Sequence, residues 1–260
     1  MFPASPAPAA FDIGRTLSRA VTVLGRNFVP FAVASAVLVG LPMLALGVFQ
    51  STAIRPDASN INTIGFAVAG LLFLPLSVVC GALLQSAVIY GAVNDWNGQR
   101  ATLGATLAAA FNRVLPLIGV SILVGVLTFL AALLLIIPGI LVALAYAVAT
   151  PAVVMEPGRG VFGALTRSAD LTRNKRWAIF IVLLVVLAAA MVLGSVTSGL
   201  SAILGIGSPL VMMKVQMLAV RPLTQSITTL FGAVISASIY YELRTIKEGI
   251  GAEALASIFD

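Results

Sequence analysis

The side chains that could carry catalytic chemistry are few in this sequence of 260 residues. It contains no histidine and one cysteine, Cys80. The usual proton shuttle of neutral-pH catalysis and the usual zinc ligands are therefore missing. Nine carboxylates remain, and none falls inside an apolar segment, where ion-coupled transporters and intramembrane proteases commonly need an ionisable group. We predict no catalytic site, no metal site and no cofactor.

The most charged part of the chain runs from Glu156 to Arg176. Gly158-Arg159-Gly160 lies here but lacks the strand and the Lys-Ser/Thr tail of a phosphate-binding loop. One interpretation is a docking site for lipid headgroups or a protein. The other is that these charges fix topology and pair locally, as Asp170 could with Arg167 or Arg173, three residues away.

The composition excludes a soluble protein. About 60% of the residues are apolar, only 9% are charged, and the mean hydropathy is +1.10. Soluble domains carry roughly 25% charged residues, so this chain could not cover its surface with polar groups. Disordered, collagen-like and disulfide-built proteins are excluded by the hydrophobicity, by the lack of a glycine period and by the single cysteine.

Six segments are long enough to cross a bilayer, which takes about 20 apolar residues. We predict an all-α integral membrane bundle in a single domain: an amphipathic segment over 1–27, six crossings over 28–241 and a tail over 242–260. The uncharged stretch from Val114 to Met155 should form two crossings with a tight turn at Pro138-Gly139. The stretch from Ser201 to Val220 is interrupted by Gly205, Gly207 and Pro209, and we predict an interfacial or re-entrant piece there, with a seventh crossing as the alternative.

The basic residues predict the orientation. With six crossings, Arg55, Lys214 and Arg221 fall on one side, and the rest of the 15 basic residues fall on the side of the two termini. Because basic loops stay in the cytoplasm, both termini are predicted to be cytoplasmic.

Three amphipathic helices are expected on the cytoplasmic face, each before a crossing. The first places Ile13, Leu17 and Leu24 on one side and Arg15 and Arg19 on the other. The segments that start near Ile13, Leu103 and Phe162 each pair an apolar residue with glycine and place alanine six residues after that glycine. This similarity suggests that a unit of one interfacial helix and two crossings occurs three times, although chance similarity between Ala-rich segments is the rival interpretation.

Small and polar residues form stripes along the predicted crossings. Such stripes usually join membrane helices, and the alternative is a polar substrate path with Gln85 as its strongest hydrogen-bonding group. The residues concerned are Ser77, Gln85, Ser121, Thr228 and Ser236.

Several motifs resemble a family of bacterial multi-pass proteins similar to the membrane domain of glycerophosphoryl diester phosphodiesterases. They are the runs 149–156 and 164–177, Phe11-Asp12-Ile13-Gly14, and the tail around Tyr241-Glu242-Leu243-Arg244. The resemblance implies an integral inner-membrane protein of alphaproteobacterial type with no established activity. The phosphodiesterase reaction belongs to a separate barrel domain with histidines, which needs about 250 residues of its own.

The sequence thus predicts a non-enzymatic inner-membrane protein that organises lipid or a protein partner through a basic cytoplasmic face. The expected partners are the bilayer with its anionic lipid, another protein or a second copy of the chain, and not nucleic acid. A transporter or exporter of a small or amphiphilic molecule is the alternative. The candidate contact residues are Arg15, Arg19, Arg159, Arg167, Arg173, Lys175 and Arg176.

Overall fold

The computed structural model describes residues 11–52, 63–98, 103–156, 158–204 and 208–248. Within these ranges the chain is helical with short turns and contains no strand, which confirms the all-α class. In chain order the helices are α1 (Ile13–Arg26), α2 (Phe28–Ser35), a π-helical turn (Ala36–Gly40), α3 (Leu41–Thr52), α4 (Thr63–Trp96), α5 (Leu103–Phe111), α6 (Val114–Leu134), α7 (Ile136–Ala145), α8 (Ala149–Met155), α9 (Gly160–Thr172), α10 (Arg176–Leu204), α11 (Pro209–Val215), a second π-helical turn (Gln216–Val220) and α12 (Arg221–Glu248).

Six helical segments of the described chain are long and apolar enough to cross a membrane, as predicted. They are Phe28–Thr52, Pro75–Trp96, Val114–Leu134, Ile136–Met155, Arg176–Leu200 and Pro209–Glu248. The agreement reflects a local property, because the length and composition of a segment alone decide whether it can lie in hydrocarbon.

The turn between α6 and α7 lies before the residues predicted to form it. The helices are joined at Leu135, whose backbone is extended (φ −162°, ψ 145°), and Pro138 and Gly139 lie within the first turn of α7. The prediction of a turn at Pro138-Gly139 is therefore wrong. The first turn tolerates proline because its amide groups lack partners within the helix. Gly139 allows close packing instead, since a Cβ there would lie 2.7 Å from the Cβ of Ala132.

The segment Ser201–Val220 is divided before Pro209, as the sequence predicted, and its second part belongs to a long helix. Gly205 and Gly207 lie outside the described residues. The first residues of the segment end α10, and Pro209 begins a helix that continues through the second π-helical turn to Glu248, over 40 residues. Proline does not break this helix because it occupies the first position, where no amide hydrogen is needed. The helix is about 60 Å long at 1.5 Å per residue, about twice the thickness of the hydrocarbon.

The helix α1 packs on the bundle by a face that coincides only in part with the predicted apolar side. Thr16, Ala20 and Val23 are buried, whereas Val21 is 67% exposed. The Thr16 hydroxyl can be buried because it donates to the carbonyl oxygen of Asp12 at 2.8 Å. Arg15 and Arg19 lie next to this buried stripe, and both therefore contact Glu242 of α12.

The order of short helix, span and span occurs three times, starting at α1, α5 and α9. This order agrees with the predicted repeat. Thr16 and Ala20 follow Gly14 by the same intervals at which Thr106 and Ala110 follow Gly104, and all four are buried.

The buried core lies in one half of the bundle. It is formed by the C-terminal parts of α4 and α12 together with α8 and the inner face of α9. The largest fully buried side chains include Tyr240, Leu84, Ile89 and Leu171. By contrast, most side chains in the spanning parts of α6 and α10 are not buried, as expected of helices that face lipid.

Candidate functional site

Charged side chains of α1, α8–α9 and α12 meet at the end of the bundle that contains this core. We call this surface the charged end, and it comprises Arg15, Arg19, Glu156, Arg159, Arg167, Glu242 and Glu248 together with the basic segment 173–176 that follows α9. Its salt bridges join residues far apart in the chain, such as Arg15 and Glu242.

The carboxylate of Glu242 is fully buried and binds two arginines of α1. Arg15 Nε donates to Glu242 Oε1 and Oε2 at 3.0 and 3.1 Å, and Arg19 Nη1 donates to Oε2 at 2.6 Å. The two arginines are four residues apart and therefore share one face of the helix. The hydrogen bond to Glu242 raises the pKa of Arg15. Arg19 also lies over the ring of Tyr241, 5.2 Å from its centroid.

Glu156, which follows α8, is the second centre of the network. It accepts from Arg167 Nε and from the Tyr240 hydroxyl at 2.9 Å each, and Arg159 Nε lies 2.5 Å from its Oε2. Partial burial favours the neutral acid, but the hydrogen bonds from Arg167 and Tyr240 and the charges of Arg167 and Arg159 lower the pKa of Glu156. Arg167 also pairs with Glu248 of α12, so it ties α9 to both neighbouring elements.

Asp170 does not pair with Arg167 or Arg173 as the local interpretation predicted. Arg167 points to Glu156 and Glu248 instead. The main-chain oxygen of Asp170 accepts from Lys247 at the end of α12. Arg167 therefore pairs with carboxylates outside α9 and not with its neighbour Asp170. The packing of α9 against α12 brings Glu248 within reach of Arg167.

A basic turn between α9 and α10 differs from the rest of the charged end. It comprises Arg173, Asn174, Lys175 and Arg176, and Asn174 has the left-handed φ of 66°, which asparagine tolerates better than most residues. Within the part of the chain that the structure describes, none of its three cations forms a salt bridge. Arg173 is exposed, and the next side chain, Trp177, is 78% exposed.

The fourth span is a broken helix, which sequence analysis missed. α7 and α8 are separated by the turn 146–148. Ser168 Oγ donates to the Ala145 carbonyl oxygen at 2.9 Å and accepts from the Val148 amide at 3.3 Å, and Ser236 Oγ donates to the Ala147 carbonyl oxygen at 3.2 Å. These hydroxyls replace the lost main-chain bonds, as an irregular backbone inside a membrane protein requires. Tyr146 after a long apolar helix gave only a weak signal for this break.

The polar residues of the predicted stripes have different surroundings in the structure. Ser236 caps the broken helix, and Thr228 donates to the Thr224 carbonyl oxygen of its own helix at 2.8 Å. Ser77 lines a cavity between α3, α4 and α12 that does not include Gln85 or Ser121. A stripe on one helix therefore did not predict which residues of different helices meet.

The arrangement is a network of charge pairs and hydrogen bonds that joins helices. Among the described residues, no group of three or more His, Cys, Asp or Glu could hold a metal ion. Searches for similar proteins found no matching family model, no matching curated protein and no matching solved structure.

Proposed function

We propose that this chain is a non-enzymatic, multi-pass protein of a bacterial inner membrane that holds anionic lipid at its basic turn. The observation that carries the proposal is the contrast within the charged end. Arg15, Arg19, Arg159 and Arg167 pair with carboxylates of the same chain, whereas the basic turn keeps its positive charge.

The position of the basic turn favours lipid as the partner. It leads into the apolar helix α10, whose first residue is Arg176. The exposed Trp177 that follows is a residue type that prefers the membrane interface. A basic residue near an anionic leaflet contributes about 1 kcal/mol. Three such residues give about 3 kcal/mol, which corresponds to a preference of roughly 100-fold for anionic over zwitterionic lipid.

The cytoplasmic location of this end is part of the same proposal. It is supported by the basic residues on the side of the termini, since basic loops stay in the cytoplasm. It also agrees with the resemblance to bacterial multi-pass proteins similar to the phosphodiesterase membrane domain.

Tryptophan quenching in nanodiscs tests the proposal. The chain has two tryptophans, so the variant Trp96→Phe leaves Trp177 as the only reporter beside the basic turn. Brominated phosphatidylglycerol should quench Trp177 more strongly than brominated phosphatidylcholine at the same mole fraction. Replacing Arg173, Lys175 and Arg176 by glutamine should make the two lipids quench equally.

The control removes one positive charge at a time. Lys175→Gln should reduce the lipid preference, whereas Lys214→Gln, in the exposed part of α11, should leave it unchanged. Equal quenching by the two lipids in the Trp96→Phe protein would refute the proposal. So would an equal effect of Lys175→Gln and Lys214→Gln, because the preference would then follow net charge alone.

Transport of a small or amphiphilic molecule is the second candidate function. It is favoured by two cavities of about 350 and 150 Å³ that contain polar side chains such as Gln50, Arg221 and Ser77, in the half of the bundle opposite the charged end. The dense core around Leu84 and Tyr240 separates them from the charged end, so transport would need this core to open. Uptake of a cavity ligand into sealed proteoliposomes would support transport, and binding without uptake would exclude it.

A further inference from the structure

A cavity of about 350 Å³ with both polar and apolar side chains on its wall lies between α3 and the start of α12. Arg221 on its wall precedes Tyr241 by 20 residues of continuous helix, or about 30 Å. The cavity is therefore at the end of the bundle opposite the charged end. Its volume falls within the roughly 300–1,000 Å³ of sites for small molecules.

Two helix backbones, those of α3 and the second π-helical turn, come unusually close together beside this cavity. A Cβ at Gly47 would overlap the carbonyl oxygen of Met217, so α3 and the second π-helical turn touch main chain to main chain. The cavity lies beside this contact, and Met217 is part of its wall. Short π-helical turns are frequent at functional sites because they redirect side chains from a regular helix.

Gln50 provides a polar group that nothing in the described chain satisfies. Its side chain lines the cavity and is only 5% exposed, and its Oε1 atom has no hydrogen-bond partner. Leaving a buried amide oxygen unpaired is unfavourable, and native structures rarely do so without a reason.

Arg221 brings a positive charge to the same cavity. It forms no salt bridge with a described residue. The described carboxylates are Asp12 before α1, Asp95 near the end of α4, Glu156 after α8, Asp170 of α9, and Glu242 and Glu248 of α12. Thr224 and Gln225 add a hydroxyl and an amide, while Met43 and Met217 form an apolar part of the wall.

We propose that this cavity binds a small amphiphilic anion that also carries a hydrogen-bond donor. Its carboxylate or phosphate contacts Arg221, its hydroxyl donates to Gln50 Oε1, and its apolar part contacts Met43 and Met217. A free hydroxy acid and the headgroup of phosphatidylglycerol share this chemistry. The inference is independent of lipid binding at the basic turn, which lies at the other end of the bundle.

Cys80 offers a natural reporter for this site. It is the only cysteine in the chain, and it lines a smaller cavity of about 150 Å³ that shares Met43 and Gln225 with the first. A ligand in the first cavity should therefore slow the reaction of Cys80 with a small thiol reagent.

The experiment measures the rate of Cys80 modification by methyl methanethiosulfonate in phosphatidylcholine nanodiscs. We expect 3-hydroxyoctanoate to protect Cys80 at lower concentration than octanoate or octane-1,3-diol. Gln50→Leu should abolish the advantage of 3-hydroxyoctanoate over octanoate, a loss of about tenfold for one hydrogen bond. Arg221→Gln should abolish its advantage over the uncharged diol.

Two control variants keep the cavity intact. Ser51→Ala removes a hydroxyl that bonds within its own helix, and Lys214→Gln removes a positive charge that does not line the cavity. Both should retain the wild-type order of protection. The Gln50→Leu variant should have the same thermal stability as the wild-type protein, because the amide oxygen that the substitution removes has no hydrogen-bond partner.

A second arm identifies the source of the ligand. If phosphatidylglycerol in the nanodisc protects Cys80 without any soluble compound, the occupant is a lipid headgroup; protection only by 3-hydroxyoctanoate indicates a free anion. The proposal is overturned if neither protects Cys80, or if all three soluble compounds protect it equally in wild type and in Arg221→Gln.

Discussion

The two partners of the buried ion pair on α12 should differ in what their removal costs. Replacing Arg15 and Arg19 by glutamine leaves the Glu242 carboxylate buried without a cation, and breaking a buried pair in this way costs about 3–5 kcal/mol. Glu242→Gln leaves two guanidinium groups instead. Their side chains are 43% and 27% exposed, so water can solvate them, and we expect a loss of only about 1–2 kcal/mol.

The combined variant separates the charge effect from a loss of shape. Replacing all three residues by glutamine leaves no unpaired buried charge, so at least half of the loss caused by the arginine substitutions should be recovered. The free energy of unfolding is measured by titration with sodium dodecyl sulfate in mixed micelles, followed by circular dichroism. Trypsin cleavage after Arg26 in the folded protein provides a local measurement, because a detached α1 is cut faster.

A charge effect at the buried Glu242 is refuted if Glu242→Gln destabilises the protein as much as the arginine substitutions do. It is also refuted if the arginine substitutions change neither the unfolding free energy nor the cleavage rate. In that case the N-terminal helix would not depend on the buried carboxylate for its position.

Three further predictions use the same unfolding measurement. Gly47→Ala should lower the free energy of unfolding by about 1–3 kcal/mol, because the new methyl group meets the backbone of the second π-helical turn. Gly194 has open space around it, so Gly194→Ala should be neutral or slightly stabilising. Equal effects of the two substitutions would contradict the close contact at Gly47. Ser168→Ala should lower the free energy of unfolding by about 1–3 kcal/mol, because it leaves the Val148 amide in the broken fourth span without a partner. Thr166→Ala, on the exposed side of α9, should change the stability little. A neutral Ser168→Ala would show that the break has another cap. Because the pKa of Glu156 is lower in the folded state, the unfolded state binds more protons at acidic pH. Stability should therefore fall as the pH drops below the ordinary pKa of 4.5 and through the lower folded pKa. Glu156→Gln should flatten this part of the pH profile, and an unchanged profile would exclude Glu156 as its source.

The charged end shows how far the sequence could predict the candidate site. The cluster from Glu156 to Arg176 was identified from residue types alone, but its arginines were assigned one role. The structure divides them, because Arg167 lies beside Glu156 and Glu248 while Arg173 projects from the turn after α9. Which arginine finds a carboxylate depends on how α9 packs against α12, and no spacing within one helix encodes that.

The cavity beside α3 was not predicted for a similar reason. Gln50 stands at the end of an apolar segment and looks like an ordinary interfacial residue in the sequence. It became a candidate ligand contact only because the second π-helical turn of a helix more than 150 residues later packs against Gly47. Close contact of two backbones at that point leaves an open space beside it, and burial then deprives the amide oxygen of a partner.

The sequence by itself determined the helical class, the six apolar segments and the near absence of catalytic side chains. These properties follow from composition and length, since an apolar stretch of about 20 residues satisfies its backbone only as a helix in lipid. Tertiary structure decided the break in the fourth span, the burial of Glu242 against α1 and the contents of the cavity. Each of these depends on a contact between residues distant in the chain, such as Arg15 with Glu242 or Ser236 with the carbonyl of Ala147, and the relative placement of helices fixes such contacts.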